Sequence, residues 1–295
     1  MDFRWPPPPD GRPDRYRPPV NRGPQTGRPT LPVPPTELVA TPHAVELEAL
    51  ATGSGRPVTV FAHGLGNGIA ETRPLGSGVS GRRVFFQFRG HGRSGAPPGR
   101  WTYLDLARDL RAVADLYGAT RALGVSLGAG ALCRLLADNP GRFEKVVFFL
   151  PSVLDQPRPE AARQRLSDLL EAVESGDPAA VAEAVAHEAP PQVRNTPAAW
   201  AYLRQRIEQL MRDGLAEGLS ELPDQVAVPD RAALAEVTVP ALVLGCRGDD
   251  LHPAEVAEEL AAVLPQATLH LYDRPGVLWT ERDDLRERIA GFLND

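Results

Sequence analysis

From about residue 40 onward, apolar residues gather in short unbroken runs separated by longer stretches of helical period. The runs are VTVFA (58–62), RVFFQF (83–88), RALGV (121–125), KVVFFL (145–150), ALVLG (241–245) and TLHLY (268–272). They lack regular alternation with polar residues, which is the pattern of strands covered on both faces. Four other stretches, YLDLARDLRAVADLYG, LGAGALCRLLADNPG, PAEVAEELAAVLPQ and ERDDLRERIAGFL, space their apolar residues three and four apart, as one face of a helix requires. Strands alternating with helices predict an α/β fold built on a doubly wound, mostly parallel sheet.

The rhythm breaks between Pro151 and about Arg231, where no strand candidate occurs but PEAARQRLSDLLEAVES and AWAYLRQRIEQLMRDGL have helical period. An all-helical insertion in such a sheet belongs over the C-terminal ends of the strands, where these sheets bind ligands. The expected organisation is therefore a core from 37 to 151, a helical cap from 152 to 236, and the rest of the core from 237 to 295. Residues 1–36 stand apart, because 12 of the 31 prolines fall within the first 35 positions. A segment so short of backbone donors and apolar side chains is expected to be a disordered or polyproline-like tail. Its WPPPPDGRP stretch offers a ligand to a proline-recognising partner protein.

Composition narrows the function classes. The chain has 295 residues, is 42% hydrophobic and carries a net charge of -6, with no Lys/Arg-rich cluster, which argues against a nucleic-acid or anionic-membrane partner. Cys133 and Cys246 lie in a helical and a strand-like segment and read as core thiols, not a disulfide. The start lacks a signal-peptide core and no run approaches a membrane span, so a cytoplasmic protein is expected. Lys145 is the only lysine among 32 basic residues, a bias that suggests a GC-rich bacterial source. No metal-ligand cluster or phosphate-binding glycine fingerprint is present, so neither a metal nor another cofactor is expected and the partner is a small-molecule substrate.

Candidate chemistry begins at GVSLG (124–128), which sets Ser126 between a strand and a helix in the strand-turn-helix context of a nucleophile elbow. The following helix N-terminus would place the Leu127 amide near an oxyanion formed at that serine. The strand at 58–62 ends in AHGLGNG, a glycine-rich loop able to aim a second amide, that of Leu65, at the same point.

With these pieces the chain resembles the α/β-hydrolase superfamily, in particular its capped esterase, enol-lactonase and haloperoxidase-like group. The matching motifs are AHGLG, FRGHGRSG, GVSLG and GDDLHPAEVAEEL, in the family's order, over roughly residues 57 to 293. The resemblance implies Ser126 as nucleophile, the Leu65 and Leu127 amides as oxyanion hole, and Asp249 as the acid, with Asp250 a close second. It also implies that His63, Gly64, Val277 and Trp279 contact the substrate. One piece is missing: the family's Gly-His pair before the last helix is here Gly276-Val277, and no histidine follows His270. Gln87 is a lesser departure, where the family often has an acidic residue.

His252, in the same turn as Asp249, is the best substitute base. Glu281 is a weaker one, since a carboxylate needs a raised pKa to act near neutrality, and it suits the start of the last helix. His43 and His187 are expected to be exposed, His63 and His91 to sit in loops, and His270 to be buried and hydrogen-bonded. In the cap, Trp200, Tyr202, Leu203 and Met211 are compatible with an apolar pocket. Three functions compete: a serine hydrolase of a small ester, lactone or thioester with a substitute base; a non-hydrolytic enzyme performing cyclisation, elimination or isomerisation; and an inactive binding protein. The first is preferred because serine, hole and acid positions are all filled.

Overall fold

The computed structural model describes residues 35–212 and 215–295. The expectations for the proline-rich tail, and for a protein contact through it, lie outside these residues. Eight strands form one sheet: β1 (Glu37–Ala40), β2 (Glu46–Thr52), β3 (Val58–Ala62), β4 (Arg82–Phe86), β5 (Arg121–Val125), β6 (Lys145–Phe149), β7 (Ala241–Cys246) and β8 (Ala267–Tyr272). Their spatial order is β1-β2-β4-β3-β5-β6-β7-β8. The two pairings of β2, with β1 and with β4, are antiparallel, and all others are parallel. β1 and β2 were not among the apolar runs, because ELVA and ELEALAT mix glutamate with apolar residues and pair as an edge hairpin.

The inner strands β3 to β7 are mostly apolar because alternate residues enter two different cores, whereas the edge strand β8 is largely part-exposed. Phe61, Phe85, Leu123, Val147, Phe149 and Leu244 share one face with Leu285, Ile289 and Leu293 of the last helix, α10 (Arg282–Asn294). The alternate residues Val60, Val84, Ala122, Val146, Phe148 and Val243 are equally buried, and α2 (Tyr103–Tyr117) packs on α3 (Leu127–Asp138), which lies on β5. α1 (Ile69–Thr72) follows β3. α2 starts with a capping box in which the Thr102 hydroxyl and the Asp105 carboxylate serve each other's backbone amides, and Gly118 in the left-handed region ends it.

Between β6 and β7, the described residues contain helices and turns but no strand: α4 (Glu160–Glu174), α5 (Pro178–Val185), α6 (Pro197–Leu210) and α7 (Leu215–Leu219). α5 packs on both α4 and α6. The apolar stripe of each is narrow, with Leu169, Leu170 and Val173 buried in α4 and Leu203, Ile207 and Leu210 in α6. α8 (Ala254–Val263) follows β7, and a short helix, α9 (Val277–Thr280), precedes α10. Cys133 and Cys246 are both buried and free. No helix among the described residues is long and apolar enough to cross a membrane.

Candidate active site

Ser126 sits between β5 and α3 with φ 50° and ψ -107°, a conformation that a non-glycine residue holds only when its surroundings impose it. Two glycines make this turn sterically feasible. A Cβ at Gly124 would lie 2.4 Å from the carbonyl oxygen of Gly128, and one at Gly128 would lie 2.5 Å from that of Ala62. Only the absence of both side chains lets α3 press this closely on the sheet.

β7 delivers the other two groups. The Ser126 hydroxyl lies 2.9 Å from Nε2 of His252, whose Nδ1 lies 3.0 Å from Oδ2 of Asp249. With Nδ1–H donating to the carboxylate, the Nε2 lone pair is free to accept the serine proton. The other carboxylate oxygen, Oδ1, accepts from the amides of Leu251 (3.0 Å) and His252 (3.2 Å), closing the turn on itself. Burial pushes the Asp249 carboxyl up, but the neighbouring imidazole and these hydrogen bonds outweigh it and hold it below the usual carboxylate range. Asp250 is 71% exposed and pairs with Arg165 of α4 at 3.5 Å, so the imidazole's partner is Asp249.

Val277 opens α9 after Gly276, which has φ 88°, and its side chain is buried in the core layer shared with Leu285 and Ile289. The position where the resemblance placed a histidine is thus part of an apolar wall. Glu281 is exposed at the junction of α9 and α10, where it accompanies the helix start.

The glycine-rich loop after β3 is held by two neutral histidines. His63 is fully buried, with Nδ1 2.7 Å from the Gly64 carbonyl and Nε2 accepting from the Phe88 amide at 3.0 Å. His91 is oriented by the Arg89 carbonyl at 2.9 Å and accepts from the Gly66 amide at 3.0 Å. Burial drives both imidazoles down, His63 well below its ordinary value and His91 to about 4, so each keeps the lone pair that its amide partner needs. Arg206 of α6 donates to the Leu65 carbonyl while its Nε and Nη2 bind Glu188. With the Gly64, Leu65 and Gly66 peptides pinned this way, the amides of Leu65 and Leu127 have no acceptor among the described residues.

These features open onto a cavity of about 780 Å³ whose wall includes Ser126, His252, Gly64, Val277 and Trp279. His63 is a correction: it does not line the cavity, because both ring nitrogens are consumed in holding the loop behind it. Other histidines also differ from expectation. His43 is half-buried and bonded to the buried carboxylate of Asp109 at 2.8 Å, which also binds Arg89. His270 is only half-buried, because β8 is the sheet edge, and it stands edge-on to Tyr272. His187 is exposed, as expected, and also lies on the cavity rim. Of the four cap side chains weighed earlier, Tyr202 lines the cavity; Leu203 faces the packed stripe of α6 instead. Sequence pattern gave no sign of Arg206, Glu188 or Arg158, because polar residues in a helical insertion look solvent-facing until the helices are docked, and Tyr103, at the start of α2, read only as part of a helical face. Among the described residues, no three His, Cys, Asp or Glu side chains gather as metal ligands.

A strained serine at a strand-helix turn, facing an imidazole and a carboxylate over the C-terminal edge of a mostly parallel sheet, defines the class. The chain matches the family of the alpha/beta hydrolase fold over residues 57–276 and belongs to it. It is similar to the AB hydrolase superfamily protein YisY of Bacillus subtilis, with 26% identity over 272 residues, 87% of this chain and 98% of that protein. Among solved structures it resembles the enol-lactonase from Burkholderia xenovorans (TM-score 0.73, 23% identity, 88% of this chain and 100% of that one). It also resembles the esterase EaEST from Exiguobacterium antarcticum (TM-score 0.74, 18% identity, 88% and 99%). At these identities the two structures speak for the fold alone.

Proposed function

We propose that the protein is a serine hydrolase of a small ester, lactone or thioester, with His252 as a base relocated from the loop after β8 to the turn after β7. One observation carries this reading: the Ser126 hydroxyl is 2.9 Å from an imidazole that is itself 3.0 Å from Asp249. His252 Nε2 takes the hydroxyl proton as Oγ attacks the substrate carbonyl, and the unpartnered amides of Leu65 and Leu127 receive the resulting oxyanion. Asp249 stabilises the imidazolium, which then protonates the departing alkoxide or thiolate. Water, deprotonated by the same imidazole, attacks the acyl-enzyme and frees Ser126 with release of the acid. The structural neighbours, an esterase and an enol-lactonase, are of a kind that agrees with this chemistry.

Intact-mass analysis after exposure to a fluorophosphonate tests the reading. The wild type is expected to gain one adduct, Ser126→Ala none, and His252→Ala to label slower by about 10² or more. An unlabelled wild type, or an adduct that survives in Ser126→Ala, would overturn it.

A further inference from the structure

Four arginines line the cavity, Arg158, Arg165, Arg206 and Arg274, against three carboxylates, Glu188, Asp249 and Asp250. Each carboxylate is already engaged: Glu188 by Arg206, Asp249 by His252 and Asp250 by Arg165. In a chain whose net charge is -6, the cavity therefore has an excess of cations. Arg274 is exposed at the rim, whereas Arg158 is only 7% exposed and pairs with no acid among the described residues. A buried guanidinium facing only neutral partners is costly unless an anion joins it.

The donors of Arg158 are unevenly used. Nη1 is shared among the carbonyls of Leu222 (2.7 Å), Pro223 (3.3 Å) and Gln225 (2.7 Å). Nη2 gives one hydrogen bond, to the Tyr103 hydroxyl at 2.8 Å. Of the five N–H donors of a guanidinium, that leaves Nε–H and one Nη2 hydrogen without a protein acceptor. Nε is not sealed in protein, unlike the orphaned Nε atoms of Arg83, Arg121 and Arg286. Tyr103, also on the cavity wall, accepts from Arg158, so its own hydroxyl proton has no acceptor. Ser152, nine-tenths buried on the same wall, has no hydrogen-bond partner either.

We infer that Arg158 and Tyr103 form a carboxylate-binding subsite, so that the molecule presented to Ser126 carries a free carboxylate besides its scissile acyl group. Two adjacent N–H groups of one planar fork match the two oxygens of a carboxylate, and the tyrosine proton supplies a third bond. The carbonyls of Leu222, Pro223 and Gln225 fix the fork from behind and hold it in place before substrate arrives. This assignment rests on the hydrolase reading for its chemistry, but the binding does not.

The test compares mono-4-nitrophenyl glutarate with 4-nitrophenyl 5-oxohexanoate, a neutral ester of similar shape. The wild type is expected to favour the anionic ester in kcat/KM by about tenfold or more, mostly through KM. Arg158→Gln should bring the ratio near unity, and Tyr103→Phe, which keeps the ring and its packing, should lower it part of the way. Because Arg158 also braces the cap, binding is measured separately by calorimetry of glutarate against glutaramide on the Ser126→Ala protein. Glutarate is expected to bind the more tightly, and the added Tyr103→Phe change to weaken that binding alone. A wild type without anionic preference, or a preference intact in Arg158→Gln, would overturn the subsite. Should no ester turn over while glutarate still binds in a Tyr103-dependent way, the subsite stands and the hydrolase reading falls.

Discussion

At His252 a single residue decides how the site is assembled. Its imidazole reaches Ser126 from three positions beyond Asp249, so one turn brings both a carboxylate and an imidazole to the serine, while Val277 closes the wall where a histidine was expected. With His252 as the proposed base, Asp249→Asn loses the acceptor that sets the tautomer, and kcat is expected to fall by about 10⁴ in steady-state assays. Asp250→Asn should fall far less, since that exposed carboxylate holds only Arg165. Placing a histidine at Val277 tests the wall from the other side. Val277→His buries a polar ring in an apolar layer and should cost about 1–3 kcal/mol in urea unfolding. It is not expected to restore labelling to His252→Ala.

Among the elements, β5, its turn and α3 hold the serine, and the loop after β3 holds the amides beside it. The turn depends on close approach, since a methyl group at Gly128 would meet the Ala62 carbonyl at 2.5 Å. Gly128→Ala is therefore expected to lower the thermal midpoint and to abolish fluorophosphonate labelling together, because α3 must retreat from β3 and carry Ser126 with it. The loop depends on α6, whose Arg206 ties the Leu65 carbonyl to Glu188. Arg206→Gln breaks a buried pair and should destabilise the fold by about 3–5 kcal/mol. Its activity loss should fall mainly on kcat, because in the proposed mechanism the neighbouring Leu65 amide binds the oxyanion and not the ground-state ester.

For the molecule as a whole, two buried neutral histidines couple stability to pH. His91 titrates at about 4 in the fold against 6.5 unperturbed, and His63 is shifted the same way. Between these values the unfolded chain takes up the proton and the folded one does not, so lowering the pH favours unfolding. Their contribution to stability is complete above about 6.5 and is expected to decline as pH falls toward 4. Urea midpoints measured across that range should drop, and His91→Gln should flatten the slope.

Much of this was legible before any coordinates. The inner parallel strands announced themselves because burial on both faces demands unbroken apolar runs, and the elbow because only glycine tolerates the contacts at 124 and 128. β1 and β2 stayed hidden, since β1 is an exposed edge strand and β2, though mostly buried, carries Glu46 and Glu48 among its apolar residues. Sequence put Asp249 narrowly ahead of Asp250 and made His252 the best substitute base, but spacing alone could not bring either of them to Ser126. Adjacent side chains in a turn point different ways, and only the docked turn turns one carboxylate to the imidazole and the other to Arg165. The resemblance made His63 a substrate contact, yet its ring faces away from the cavity to hold the backbone. The sequence by itself determined the sheet, the strained serine and the short list of partners, because local sterics and periodic burial are written residue by residue. Only the tertiary structure decided which histidine meets Ser126 and which arginine is left without an acid, because those pairings join segments more than 50 residues apart, as Ser126 with His252 and Arg158 with Tyr103.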